Sequence, residues 1–130
     1  MLFWIFMLAC NLIIPLAMVL IGARFEGRGP KDINRFLGYR TAMSMKNGET
    51  WRFAHMHCGK LWKRLGAALI PVSALPLLCA AAFGLPARPS ALAAGAVTIA
   101  QGIIMLGTVF LTERALKKRF DKDGSPISYD

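Results

Sequence analysis

Acidic residues are scarce in this chain of 130 residues. It has 7 Asp and Glu against 16 Lys and Arg, and three long runs carry no charge of either sign. These runs are residues 1–23, 65–87 and 91–112. They hold no paired carboxylates and no charged proton relay. The acids of the loop expected to be cytoplasmic, Glu26, Asp32 and Glu49, are isolated from one another in sequence, so an enzyme is not expected.

Residues that hold metals or cofactors are also few. The motif "HMHC" brings His55, His57 and Cys58 together, but a structural zinc site usually takes four ligands. No glycine-rich phosphate loop precedes a helix, so neither a metal nor a cofactor is expected. Cys10 and Cys79 lie within apolar runs, and no disulfide is predicted. The net charge of +9 comes without a recognition helix, and direct nucleic-acid binding is not expected.

Apolar residues make up 55% of the chain and are grouped into the three charge-free runs. A helix of roughly 20 residues crosses a hydrocarbon core of about 30 Å. The first run has no preceding Lys or Arg and is longer than a typical signal-peptide core, which favours a span. We therefore predict an all-α membrane protein forming a single domain over residues 1–130. Its three transmembrane helices cover about 2–23, 65–87 and 91–112.

The basic residues predict how these spans are oriented. Ten of the sixteen lie in residues 24–64 and five in the tail 113–130, whereas the turn at 88–90 holds only Arg88. The positive-inside rule then makes 24–64 a cytoplasmic loop and 113–130 a cytoplasmic tail, with the N-terminus outside. The same bases predict attraction to anionic lipids of the inner leaflet.

Between the first two spans, the periodicity predicts an amphipathic helix that begins near Glu49 and leads directly into the second span. Before it, Gly27, Gly29 and Pro30 are expected to break any continuing helix. The apolar stripe of the predicted helix comprises Trp51, Ala54, Cys58, Leu61, Trp62 and Leu65.

Three further features concern the second and third spans and the tail. Pro71 and Pro76 predict that the second span is bent or locally unwound. In the third span, small residues four apart, such as Thr98 and Gly102, predict close approach to another helix. The tail after residue 121 is expected to be disordered.

The polar stretch "GYRTAMSMKNGETW" at residues 38–51 interrupts the apolar sequence. Arg40 offers a planar fork of donors that suits carboxylates and phosphates. We expect it to pair with Glu49 or with an acidic group of a partner, and we expect Trp51 to pack against the loop. From the residues alone, the stretch is either an interfacial anchor, which also uses Tyr, Trp and Arg, or a docking element.

The ordered pattern "P…IN…GYRT..SM.N.ETW..AH…GK" resembles the signature of the SdpI/YfhL family of bacterial membrane proteins. The tail "LKKRFDKDG" is also similar to the family's ending. The matching positions are Pro30, Ile33, Asn34, Gly38, Tyr39, Arg40, Thr41, Ser44, Met45, Asn47, Glu49, Trp51, Ala54, Gly59 and Lys60.

The resemblance implies an immunity protein of the bacterial cytoplasmic membrane. The family's namesake protects a toxin-producing cell from its own secreted antimicrobial peptide and holds a transcriptional repressor at the membrane. A peptide toxin, a cytoplasmic repressor and a second copy of the chain are the partners to consider. The signature or partner-binding residues would be Asn34, Gly38, Tyr39, Arg40, Thr41, Ser44, Glu49, Trp51 and His55.

A small transporter, or a subunit of one, is the alternative. The proline-containing second span supports it, as do Asn11, Ser73 and Gln101, the polar side chains within the spans. A transporter requires a water-accessible polar path between those three side chains. A dry and tightly packed interface would argue against one.

Overall fold

A computed structural model describes residues 1–128, and within them three long helices dominate. Helix α1 covers Leu2–Arg28, α2 covers Gly48–Ala82 and α3 covers Ala87–Arg119. Each is long and apolar enough to cross a membrane. The predicted all-α fold of membrane type is confirmed.

The two ends of the three-helix bundle differ in character. Residues 29–47 connect α1 to α2 at one end, where residues 120–128 also lie. The other end holds Met1 and the short connection 83–86 between α2 and α3. We call these the loop end and the turn end.

Polar side chains are buried between the helices, while large apolar side chains face outward. Such an arrangement suits a lipid environment. Burial of apolar side chains between helices is not favoured there over contact with lipid, and helices associate through small and polar groups. The polar helix residues that are buried include Asn11, Ser73, Gln101, Thr108 and Thr112. Outward-facing apolar residues include Ile13, Leu20, Val72, Ile99 and Phe110.

Helices α1 and α2 make the most extensive contact, and three glycines let their backbones approach closely. A Cβ atom built on Gly22 would lie 2.8 Å from the Gly59 carbonyl oxygen, and one on Gly59 would lie 2.7 Å from the Gly22 oxygen. A Cβ on Gly66 would lie 2.7 Å from the Pro15 oxygen. Side chains at these three positions would hold the helices apart.

The expected close approach through the third span is not found within residues 1–128. A Cβ built on Gly95 or on Gly102 would meet no atom within 4 Å. The spacing of small residues predicted a close helix–helix contact for α3, whereas the structure has that contact between α1 and α2. The reason is that a run of small residues does not specify which face turns towards a neighbour.

Helix α1 continues past residue 24, where the loop was expected to begin. Gly27 does not interrupt it, and the helix ends at Arg28, immediately before Gly29 and Pro30. The extended part of α1 packs against α2, where Lys63 donates a hydrogen bond to Glu26 at 2.8 Å. The beginning of α2 is capped by Asn47, whose side chain accepts from the backbone N–H of Thr50.

Of the two forms expected for the second span, local unwinding is not found, because helix α2 remains helical through Pro71 and Pro76. The expectation of a disordered tail is wrong. The chain after residue 121 is ordered as far as residue 128, because the Asp121 carboxylate accepts two backbone N–H bonds. The Asn47 side chain also donates to the Gly124 carbonyl at 2.7 Å. The last two residues, 129 and 130, lie outside the described residues.

Candidate functional site

Gly38 and Tyr39 attach the middle of the loop to α2 through His55. The backbone N–H of Tyr39 donates to His55 Nε2 at 2.9 Å, and His55 Nδ1 donates to the Trp51 carbonyl at 2.7 Å. A carbonyl cannot donate, so the proton lies on Nδ1 and the ring is neutral. With both ring nitrogens engaged, His55 has no lone pair left for a metal ion.

Gly38 is required at its position for two reasons. Its φ of 107° lies in a region that L-residues rarely adopt. In addition, a Cβ atom there would collide with His55 Nε2, the atom that holds Tyr39. The signature glycine therefore serves a close contact between loop and helix.

Tyr39 and Thr41 attach the same loop to α3. The Tyr39 hydroxyl lies 2.9 Å from Glu113 Oε1 and 3.1 Å from the Val109 carbonyl oxygen. The Thr41 hydroxyl donates to Glu113 Oε1 at 2.5 Å. Burial and the neighbouring Glu113 carboxylate raise the pKa of Tyr39 above its usual value. The phenol therefore remains a neutral donor, and Glu113 is the acceptor that joins loop to α3.

Glu113 was not among the candidate residues predicted from the sequence. It lies 72 positions after Thr41 along the chain. The one signal was its place directly after the third charge-free run, where an acid stands among bases. Only folding brings α3 alongside the loop, and so only the structure identifies its role.

Ser44, Thr41 and Thr50 form a hydrogen-bonded turn beneath Tyr39. The Ser44 hydroxyl lies 3.0 Å from the Tyr39 carbonyl oxygen and accepts from the Thr41 N–H at 2.9 Å. The Thr50 hydroxyl in turn lies 3.1 Å from the Ser44 carbonyl oxygen. Ser44 and Thr50 are fully buried, so their roles are internal to the fold.

Trp51 attaches the beginning of the loop. Its indole N–H donates to the Pro30 carbonyl at 2.7 Å, and its ring is fully buried with its centroid 4.3 Å from that of His55. The expected packing of Trp51 against the loop is therefore found. Asn34 acts more locally, since its side-chain oxygen accepts from the N–H groups of Phe36 and Leu37.

Arg40 and Glu49 do not pair with each other. Both side chains are exposed, and no ion pair or side-chain hydrogen bond holds either of them within the described residues. Of the two expected partners for Arg40, Glu49 is thus ruled out as an intramolecular one in this structure. Seven of the nine predicted residues therefore hold the loop in place through hydrogen bonds or packing. The other two, Arg40 and Glu49, have exposed charged side chains.

The loop attachment predicts a measurable coupling between Tyr39 and Glu113. Replacing Tyr39 by phenylalanine should lower the free energy of unfolding by about 1–2 kcal/mol, because the half-buried Glu113 carboxylate loses one of its two hydroxyl donors. In a Glu113→Ala background the same change should cost clearly less, because only the contact of the Tyr39 hydroxyl with the Val109 carbonyl remains to be lost. Unfolding midpoints in detergent micelles for the two single variants and the double variant measure this. Strict additivity would contradict the attachment.

A second set of polar side chains lies in the middle of the bundle. Gln101 Nε2 lies 2.5 Å from the Ser73 hydroxyl and 3.1 Å from the Asn11 carbonyl oxygen. All three residues are at most 2% exposed. These direct contacts leave the three side chains almost no exposed surface, which argues against a water-filled path between them and therefore against the transporter alternative.

A cavity of about 330 Å³ opens above Asn11 and Ser73, towards the turn end. Its other walls are apolar and come from α2, α3 and the connection between them. They include Leu77, Leu85, Ala93, Ala94 and Val97. The Asn11 side-chain oxygen is buried and has no hydrogen-bond partner in the described part of the chain.

Comparison with known proteins identifies a family. The chain matches the SdpI/YfhL protein family over residues 31–115, more than half of its length. The matched segment includes most of the loop, all of α2 and most of α3, with Glu113. No curated protein and no solved structure matches significantly. The chain is a member of the SdpI/YfhL protein family.

Proposed function

We propose that this protein is a non-catalytic immunity and signalling protein of the bacterial cytoplasmic membrane. It protects against a secreted antimicrobial peptide at the turn end, which faces outward, and binds a cytoplasmic repressor at the loop end. The orientation follows the distribution of bases, fifteen of which lie in residues 24–64 and 113–130.

The observation that carries this proposal is the preorganised loop with an unpaired Arg40. Signature residues fix the loop to both α2 and α3 through His55 and Glu113. In this fixed loop, the Arg40 guanidinium is exposed and forms no hydrogen bond or ion pair with any group in residues 1–128. A rigid loop that presents unpaired guanidinium N–H donors is suited to bind an acidic group on a partner protein.

The turn-end cavity supplies a site for the toxin. Its apolar walls suit an apolar peptide side chain, and the unpaired Asn11 oxygen suits a peptide N–H. Helix α3 connects both ends, since Val97 lines the cavity and Glu113 holds the loop about 24 Å away along the same helix. A displacement of α3 by the toxin would therefore alter the loop attachment.

Expression in a toxin-sensitive bacterium tests the immunity function. Cells producing the protein should survive a secreted peptide toxin, such as one encoded beside this gene, that kills cells with an empty vector. If the protein protects against none of the toxins tried, including the one encoded beside its gene, the proposal is contradicted.

Arg40→Ala should separate signalling from folding. A charged hydrogen bond contributes about 1.5–3 kcal/mol, so repressor recruitment should weaken about tenfold or more while membrane levels stay normal. Arg35→Ala, in the same loop and also exposed, is the matched control. Membrane capture of a tagged repressor is the measurement. Equal effects of the two substitutions would show that Arg40 acts only as one more positive charge.

A further inference from the structure

A cleft of about 1530 Å³ opens at the loop end between α1, the loop and α2. We call it the loop-end cleft. One part of its wall is apolar and exposed, and includes Leu20, Ile21, Leu37 and Met56. The other part is basic, so the cleft is amphipathic.

Five bases line the basic part: Arg24, Arg28, Lys31, Arg40 and Arg52. All five are exposed, and no acid in residues 1–128 pairs with them. The one carboxylate in the wall, Glu26, is already held by Lys63 at 2.8 Å. The cleft therefore carries a positive charge that the described chain does not neutralise.

The two parts of the wall lie at different depths along α1. Leu20 and Ile21 belong to the charge-free run that ends at residue 23, and Arg24 follows Leu20 by one helical turn, about 6 Å. Arg28 lies one further turn along and on the same helix face as Arg24. Leu20 and Ile21 thus lie at hydrocarbon depth, and the bases of α1 lie at headgroup depth.

We propose that the loop-end cleft binds an anionic phospholipid. Arg24 and Arg28 hold its headgroup phosphate from one side and Arg52 from the other, while an acyl chain lies along Leu20 and Ile21. Basic pockets at the ends of transmembrane helices are suited to such headgroups. This inference does not depend on the toxin or on the repressor.

Two other ligands, a free phosphate ion and a zwitterionic phospholipid, fit the cleft less well. A free phosphate ion would use only the basic part and leave the apolar wall uncovered. A zwitterionic phospholipid would bring a cationic amine among five bases, where the only carboxylate is already paired. The combination of unpaired charge and apolar wall therefore favours an anionic lipid over both.

Native mass spectrometry of the intact protein tests the proposal. The protein is released from vesicles of equimolar phosphatidylglycerol and phosphatidylcholine, and the lipids retained on it are identified. Because each base near the surface contributes about 1 kcal/mol of attraction to anionic lipid, retention should favour phosphatidylglycerol by about tenfold or more. Added inorganic phosphate at millimolar concentration should not displace the lipid.

A matched pair of triple variants locates the site. Arg24→Gln/Arg28→Gln/Arg52→Gln should abolish the preference. The control, Arg35→Gln/Lys46→Gln/Lys117→Gln, removes the same charge from exposed positions outside the cleft and should preserve it. Circular dichroism confirms that both variants fold.

Several outcomes would overturn the proposal. Equal retention of the two lipids by the unmodified protein would do so even if the cleft variant failed to fold. Equal loss of preference in both triple variants would indicate general surface attraction. Displacement by inorganic phosphate would make the ligand a free anion. Retention of an acidic protein in place of lipid would assign the cleft to a protein partner.

Discussion

Gly59→Ala is expected to lower the free energy of unfolding by about 3 kcal/mol or more, although alanine is the better helix former. Intrinsic propensity alone would predict a stabilisation of about 1 kcal/mol. The structure reverses that sign, because the new Cβ would lie 2.6 Å from the Glu26 backbone nitrogen and 2.7 Å from the Gly22 oxygen. Both obstacles are backbone atoms, so α1 and α2 would have to separate.

Gly102→Ala is the matched control for that substitution. Gly102 also lies inside a long helix, but a Cβ there meets no atom within 4 Å. Its substitution should leave the unfolding midpoint in detergent micelles unchanged or slightly raised. Equal midpoints for the two variants would show that α1 and α2 are not in backbone contact.

Gly38→Ala is expected to release the loop and to lower the free energy of unfolding by about 3 kcal/mol. Roughly 1–2 kcal/mol comes from placing an L-residue at positive φ. The remainder comes from the collision with His55 Nε2, which breaks the bond from the Tyr39 N–H. Faster proteolytic cleavage at Arg40 should accompany the loss of stability.

Gly84→Ala separates the two contributions. Gly84 also has positive φ, at 64°, yet a Cβ there meets no atom within 4 Å. Its penalty should therefore be about 1–2 kcal/mol, the conformational part alone. In a His55→Ala background, Gly38→Ala should fall to a similar value. An undiminished penalty in that background would show that His55 is not the obstacle.

The fold followed from local features of the sequence. A backbone in hydrocarbon must satisfy its own hydrogen bonds, so an apolar run of sufficient length forms a helix regardless of its neighbours. The three charge-free runs therefore predicted the three helices. Their ends were less predictable. Helix α1 extends past its charge-free run to Arg28, and there Glu26 contacts Lys63 of α2.

The candidate site was predicted as a set of residues but not as an arrangement. Trp51 packs against the loop as expected, whereas the suggested pair of Arg40 and Glu49 does not form. Glu113 was missed, because its partners Tyr39 and Thr41 lie more than 70 residues earlier in the chain. Spacing carries no information about contacts over such separations.

The sequence by itself determined the class of the protein, its three helices and the loop that carries its family signature. Each of these depends on composition and short-range order, which are written along the chain. Only the tertiary structure decided that Gly22 and Gly59, not Gly102, bring helices together, and that Glu113 holds the loop. The physical reason is that the surrounding lipid does not determine which face of a helix packs against a neighbouring helix. Side-chain fit and hydrogen bonding between distant segments make that selection.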